Sequence, residues 1–183
     1  VGRVETGSMK PNDKIIVMTS GATGEIKSIE THHTEMPSAS AGDNIGFNLR
    51  GIEKKDIKRG DVLGTPDKPP MVAKEFKAQI IVIHHPTAIA PGYTPVMHCH
   101  TTQVAATISA FEAKINPATG ATEEENPKFL KVGDSAIVRI RPVRPTCIET
   151  FQEFPEMGRF ALRDMGSTIA AGVVKEITEE HTA

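Results

Sequence analysis

A tight turn recurs along this chain in one chemical form. Lys10-Pro11-Asn12-Asp13-Lys14-Ile15, Lys58-Arg59-Gly60-Asp61-Val62 and Lys131-Val132-Gly133-Asp134-Ser135-Ala136-Ile137 each join a basic residue, a tight turn, an aspartate and an apolar strand. Gly or Asn supplies the positive φ, and the aspartate can bond forward to the backbone. Turns of this kind suit the corners of β-barrels. Short strand patterns alternate with further turn signals between them, and no stretch sustains a helical period. The expected fold class is all-β.

Strands are expected over 14–18, 25–29 and 44–49, and then over 76–85, 96–102, 104–115, 137–141, 147–151 and 168–177. The strongest runs from Phe76 to His85, with Ala78, Ile80, Val82 and His84 on one face and Gln79, Ile81, Ile83 and His85 on the other. Apolar residues on both faces predict a strand covered on both sides. The segment Gly64-Thr65-Pro66-Asp67-Lys68-Pro69-Pro70 interrupts the pattern, because proline cannot donate to a ladder and stiffens a link. Two antiparallel β-barrels are therefore expected, over about 1–70 and 71–183. Aromatic residues make up 4% of the chain and Trp is absent, so the cores must come from Ile, Val, Leu, Ala and Met.

A net charge of −2 exerts no global pull on nucleic acid or membrane, so any basic face has to be local. Lys54, Lys55, Lys58 and Arg59 form one such cluster; Lys128, Lys131, Arg139, Arg141 and Arg144 form another. Either could track a phosphate backbone. Cys99 and Cys147 make no disulfide framework and suit a reducing cytoplasm. No apolar run is long enough to span a bilayer.

Chemistry-bearing motifs are sparse. His98 and His100 would share one strand face, with His84 as a potential third imidazole, yet neither Cys-x-x-Cys nor His-Glu-x-x-His spacing is present, and no metal is expected. His32-His33 beside Glu30 and Glu35 could act as an acid/base pair only in a turn, because adjacent strand residues face opposite ways. The chain has no phosphate-cradling Gly-x-x-x-x-Gly-Lys-Ser/Thr loop and no Gly-x-Ser-x-Gly elbow. No catalytic residue is expected in this chain alone.

Several stretches together carry a resemblance. They are Val1-Gly2-Arg3-Val4-Glu5-Thr6-Gly7, His32-His33, Ala41-Gly42-Asp43-Asn44-Ile45-Gly46-Phe47-Asn48, Arg59-Gly60-Asp61-Val62, Pro91-Gly92-Tyr93, Lys128-Phe129-Leu130-Lys131-Val132-Gly133-Asp134 and Gly158-Arg159-Phe160-Ala161-Leu162-Arg163-Asp164-Met165, with 168–172 after them. In this order they resemble domains 2 and 3 of translation elongation factor 1-alpha, the archaeal and eukaryotic counterpart of bacterial elongation factor Tu. The resemblance covers essentially the whole chain. It implies the carboxy-terminal part of a GTPase, with the GTP-binding domain and the first strand of domain 2 not included. GTP and Mg would belong to that other domain, and this chain would take no cofactor.

The resemblance also implies site residues. His32 and His33 would line the pocket for the amino acid and terminal adenosine of aminoacyl-tRNA, with Asn44 beside it. Arg59 would meet the tRNA 5′ phosphate, where a planar guanidinium fits well. Thr101, Thr102, Arg163 and Gly172 would face the T-stem, Gly172 allowing a close backbone approach. Implied partners are aminoacyl-tRNA, the ribosome and a nucleotide exchange factor, in the cytoplasm. A second implication stands beside this one. Related GTPases that carry release or ribosome-rescue factors share Gly158-Arg159-Phe160 and Arg163-Asp164, and Met157 with Gly166 leans toward them.

Overall fold

The computed structural model describes residues 1–181. They form two compact units, Val1–Met71 and a second from Val72 onward; the last two residues of the expected second domain lie outside the described residues.

The first unit contains β1 (Gly2–Arg3), β2 (Ser8–Met9), β3 (Lys14–Met18), β4 (Ala22–Thr31), β5 (Thr34–Met36), β6 (Ala39–Ser40), β7 (Asn44–Arg50) and β8 (Val62–Gly64). A curled antiparallel sheet runs β1-β7-β4-β3-β8, with β5 added to β4, and β2 pairs with β6. β4 extends beyond the expected 25–29 and shifts register between Ile26 and Ser28, the kind of irregularity that bends a strand. Because of that shift Ile26 and Ile29, three residues apart, both point inside with Ile15, Val17, Ala39 and Ile45, while Phe47, Leu49 and Leu63 pack from the edges.

The repeated turn has a sharper design than its sequence suggests. Asn12, Gly42, Gly60 and Gly133 each have positive φ at the third turn position. The following aspartate donates its N–H to the first residue's carbonyl, at 3.2 Å for Asp13 to Lys10, 3.0 Å for Asp43 to Ser40, 3.1 Å for Asp61 to Lys58 and 2.9 Å for Asp134 to Lys131. Its carboxylate then accepts the N–H of that same first residue, at 2.9, 2.9, 3.0 and 2.9 Å respectively. The aspartate thus bonds back three residues, where sequence reasoning expected a forward bond. The reciprocal pair resembles a helix capping box folded into a turn. Asp56 makes the same clip on Glu53 (2.9 Å) in the 3₁₀ turn Lys54–Asp56.

The second unit contains β9 (Val72–Val82), β10 (Val96–Cys99), β11 (Thr102–Ile115), β12 (Thr122–Glu125), β13 (Ser135–Pro142), β14 (Thr146–Cys147), the one-turn α1 (Pro155–Gly158), β15 (Arg159–Asp164) and β16 (Ser167–Glu180). The ladder runs β10-β15-β16-β9-β13-β11, and β10 also pairs with β11, so the ring closes. Closure removes the open edges that a flat sheet would present. Phe76, Ala78, Ile80 and Val82 of β9 point inside with Met97, Ile108, Ile140, Leu162 and Ile169. Phe76 and Phe160 meet edge-to-face at 5.8 Å. Burying each large side chain of this kind contributes about 1.5–3 kcal/mol.

Several expectations change here. β9 ends at Val82, and its other face is not covered: Ile81 and Ile83 are 42% and 48% exposed. A closed barrel has one interior, so the alternate residues fall on its outside. The expected strand 96–102 breaks at His100, whose φ of 43° makes it part of the β10–β11 turn. Beyond Cys147 the expected strand 147–151 gives way to irregular chain and a turn at 151–153 that leads into α1.

Two arginines of the second basic cluster are neutralised on the outer face. Arg139 pairs with Glu112 (2.7 Å) and Glu75 (3.1 Å), Arg141 with Glu75 (3.0 Å) and Glu179 (2.8 Å), and Lys77 with Glu112 (3.2 Å). Cross-strand register between β9, β11, β13 and β16 brings these charges together, so this part of the cluster cannot serve as a basic face. Burial pushes the Glu75 and Glu112 carboxyls up, but hydrogen bonds from Arg139, Thr178 and Arg141 to Glu75, and from Arg139 and Lys77 to Glu112, hold both below the ordinary value.

Gly172 lies between Phe160 and Ile80 across the ladder. A Cβ there would come within 2.6 Å of Phe160 Cζ, 2.8 Å of Ile80 Cγ2 and 2.9 Å of the Gln79 carbonyl. Gly172→Ala is therefore expected to destabilise the second unit by about 1–3 kcal/mol, through overpacking. Denaturant unfolding checks this, and Phe160→Leu in the same chain should recover part of the loss. The charge network yields a pH dependence. Lowered folded-state pKa values mean that the stabilisation is full above 4.5 and fades as pH falls through the folded values. Glu75→Gln should lower the thermal midpoint by a few degrees at pH 7 and shrink the difference between pH 7 and pH 3.

Candidate nucleic-acid interface

β4 and β5 are joined by His32-His33 alone, with Thr31 opposite Thr34. Both histidines adopt positive φ, 47° and 63°, as a two-residue type I′ hairpin turn requires. Asn-Gly is the usual solution to that requirement. Histidine tolerates it better than most side chains, yet each such residue still costs about 1 kcal/mol. Both rings are exposed at the tip. The strained turn resolves the question left by the sequence: the two imidazoles stand at one tip and are not split between two strand faces. Glu30 and Glu35 face each other across the same hairpin, and like charges directly opposite destabilise a ladder.

Asn44 belongs to the same end of the sheet. The Thr31 hydroxyl donates to the Asn44 carbonyl (3.4 Å), and the Ser40–Asp43 clip sets the turn from which Asn44 enters β7. His32, His33 and Asn44 are therefore brought together. Arg59 is elsewhere. It is exposed in the Lys58–Asp61 turn, which adjoins the β3–β4 connection: Asp61 Oδ1 accepts from the Thr19 N–H (3.3 Å) and hydroxyl (3.4 Å). That connection sits at the start of β4 and the histidine tip at its end, separated by roughly 30 Å of extended strand. A shallow recess beside the Arg59 turn is lined by Thr19, Ser20, Lys55 and Lys58 among others.

In the second unit, Thr101 is exposed in the β10–β11 turn, whereas Thr102 is 5% exposed, which leaves its side chain little surface for a ligand. His100 Nε2 lies 2.8 Å from the Cys147 carbonyl, so it does not share a face with His98. Arg163 is exposed at the far end of β10, opposite Val96, roughly 10 Å of strand away from Thr101. Its guanidinium donates to Thr168 Oγ1 (2.9 Å) and the Gly166 carbonyl (3.4 Å). Gly172 faces the barrel interior, and the packing against Phe160 and Ile80 explains its missing Cβ without any nucleic acid.

Sequence reasoning assigned no role to Tyr93, the one tyrosine in the chain. Its hydroxyl donates to Asp164 Oδ2 at 2.7 Å, and Asp164 Oδ1 accepts the Met165 N–H at 2.9 Å. Burial, with the Asp164 carboxylate beside it, pushes the phenol pKa up. A half-buried tyrosine usually finds a partner for its hydroxyl, and that was the available signal; the identity of the partner was not readable.

The family model described as elongation factor Tu domain 2 matches residues 1–64, and the GTP-eEF1A C-terminal domain-like model matches residues 75–175. Elongation factor 1-alpha of Cenarchaeum symbiosum is 86% identical over 99% of this chain and 42% of its own length. The corresponding protein of Saccharolobus solfataricus is 58% identical over 97% of the chain and 41% of its own length. The chain thus spans about two fifths of these curated relatives. A crystal structure of Sup35 complexed with GDP matches with a TM-score of 0.89 at 32% identity, covering 97% of this chain and 43% of that one. The chain belongs to the elongation factor 1-alpha family, and what it matches there is the second and third domains.

Proposed function

We propose that this chain supplies the tRNA-binding barrels of a translational GTPase that delivers aminoacyl-tRNA to the ribosomal A site. The observation that carries the reading is the His32-His33 tip. Two exposed residues held at positive φ beside Asn44 are a local cost that a ligand can offset. They are also the residues that the family resemblance assigns to the charged 3′ end. Arg59 meets the 5′ phosphate, and Thr101 and Arg163 meet the T-stem. On a chain with a net charge of −2, the attraction for RNA comes from such local arginines.

In this reading GTP and Mg occupy a domain of the parent factor outside the matched region. The ribosome and a nucleotide exchange factor are the further partners, and the site of action is the cytoplasm. Separated from that domain, the chain binds tRNA weakly, because it lacks the rest of the acceptor-end pocket. A second reading, barrels that carry release or rescue factors, draws support from the fold match to Sup35 and from Met157 and Gly166.

The test uses a factor in which this chain replaces the matching segment of the Cenarchaeum symbiosum protein, and follows hydrolysis of the aminoacyl ester. Protection with GTP but not GDP is expected. No protection, together with binding of a release or rescue partner, would transfer the chain to the second reading. The strained tip makes a further prediction. Replacing His32→Asn and His33→Gly together should stabilise the first unit by about 1 kcal/mol, because Asn-Gly suits a type I′ turn. The same change should weaken ester protection about tenfold, equivalent to losing one good interaction. Unchanged protection would remove the tip from the site.

A further inference from the structure

We infer that Tyr93 is a positioning residue for RNA binding: by anchoring Asp164 it holds the neighbouring Arg163 guanidinium in place for a phosphate. The inference rests on the reading of Arg163 as an RNA contact and adds to it the device that orients this side chain.

Arg163 sits at an irregular point of its ladder, paired with Val96 of β10 and Thr168 of β16. The β15–β16 register shifts between Leu162 and Arg163, and the strand then ends in the Met165-Gly166 turn, where both residues have positive φ (51° and 74°). A register shift re-aims side chains, and backbone pairing does not by itself fix where the long Arg163 guanidinium points.

The Tyr93 phenol adds a side-chain restraint from a segment anchored independently. Gly92 N–H donates to the Ile108 carbonyl (2.8 Å), Ile108 N–H to the Tyr93 carbonyl (2.9 Å) and Ala106 N–H to the Pro95 carbonyl (2.9 Å). The ring packs on the barrel core, and His85 meets it edge-on at 5.3 Å. Tyr93 and the Met165 N–H engage both oxygens of Asp164 at the root of the turn. The raised phenol pKa keeps Tyr93 a donor throughout the neutral range. Within the turn fixed in this way, Thr168 and Gly166 hold the Arg163 guanidinium. An arginine already ordered loses less freedom on meeting a phosphate, and its planar fork needs the right orientation to do so.

The test is a double-mutant cycle on charged-tRNA affinity, at two salt concentrations, in the GTP-bound factor described above. Arg163→Ala is expected to weaken binding about tenfold and to lower the salt slope by about one. Tyr93→Phe keeps the packed ring and should weaken binding about threefold or more by removing one charge-assisted hydrogen bond. Combined with Arg163→Ala, it should add nothing. Multiplicative effects would place the action of Tyr93 elsewhere and overturn the inference, as would unchanged affinity for Tyr93→Phe while Arg163→Ala weakens binding. An ineffective Arg163→Ala would overturn it together with the assignment of Arg163 to RNA. Thermal midpoints accompany each variant. If Tyr93→Phe does not fold, Asp164→Ser breaks the same link from the other side and carries the same expectation of non-additivity.

Discussion

An aspartate carboxylate that reaches back three residues to a backbone N–H sets four corners of this protein. At Asp13, Asp43, Asp61 and Asp134 the same side chain closes a turn whose third residue has positive φ, and the chain then enters a strand. A charge-assisted bond at such a corner fixes where the next strand begins, and so which residues of that strand point inward. Functional candidates sit on these corners. Asn44 follows the Asp43 clip directly, and Arg59 lies inside the Asp61 clip.

Ring closure does for the second unit what the corner clips do locally. Because β10 pairs on both sides, the apolar alternation of β9, β11, β13, β15 and β16 has one interior to fill. The same closure sorts the outer face. Glu75, Glu112, Arg139, Arg141 and Lys77 fall side by side and satisfy one another, which spends charges that would otherwise attract a polyanion. The two residues proposed to meet RNA on this unit lie away from that network, Thr101 in the β10–β11 turn and Arg163 near the end of β15.

The two candidate binding turns are built alike. His32-His33 and Met165-Gly166 are both two-residue hairpin tips with positive φ at each position, and both stand beside a side chain proposed to meet tRNA. Only one of the four residues is glycine. The strain is tolerated because the flanking strands determine the turn: Thr31 is tied to Asn44 in one case, and Asp164 to Tyr93 in the other. Side chains placed on or beside short, over-determined turns combine exposure with fixed geometry.

Local chemistry alone determined much of this protein. Turn residues, period-two alternation and the proline-rich break at 64–70 carry the all-β class and most strand positions, because each depends on residues within a few positions of one another. The resemblance carried by His32-His33, the Gly42-Asp43-Asn44 stretch and Arg59 was likewise written in contiguous motifs. Tertiary structure alone decided who stands beside whom. It filled the space beside Gly172 with Phe160, neutralised Arg139 and Arg141, moved His100 into a turn and joined Tyr93 to Asp164 across 71 residues. Those outcomes depend on strand register and ring closure, which are set by the sum of many long-range pairings. No single stretch of sequence contains that information.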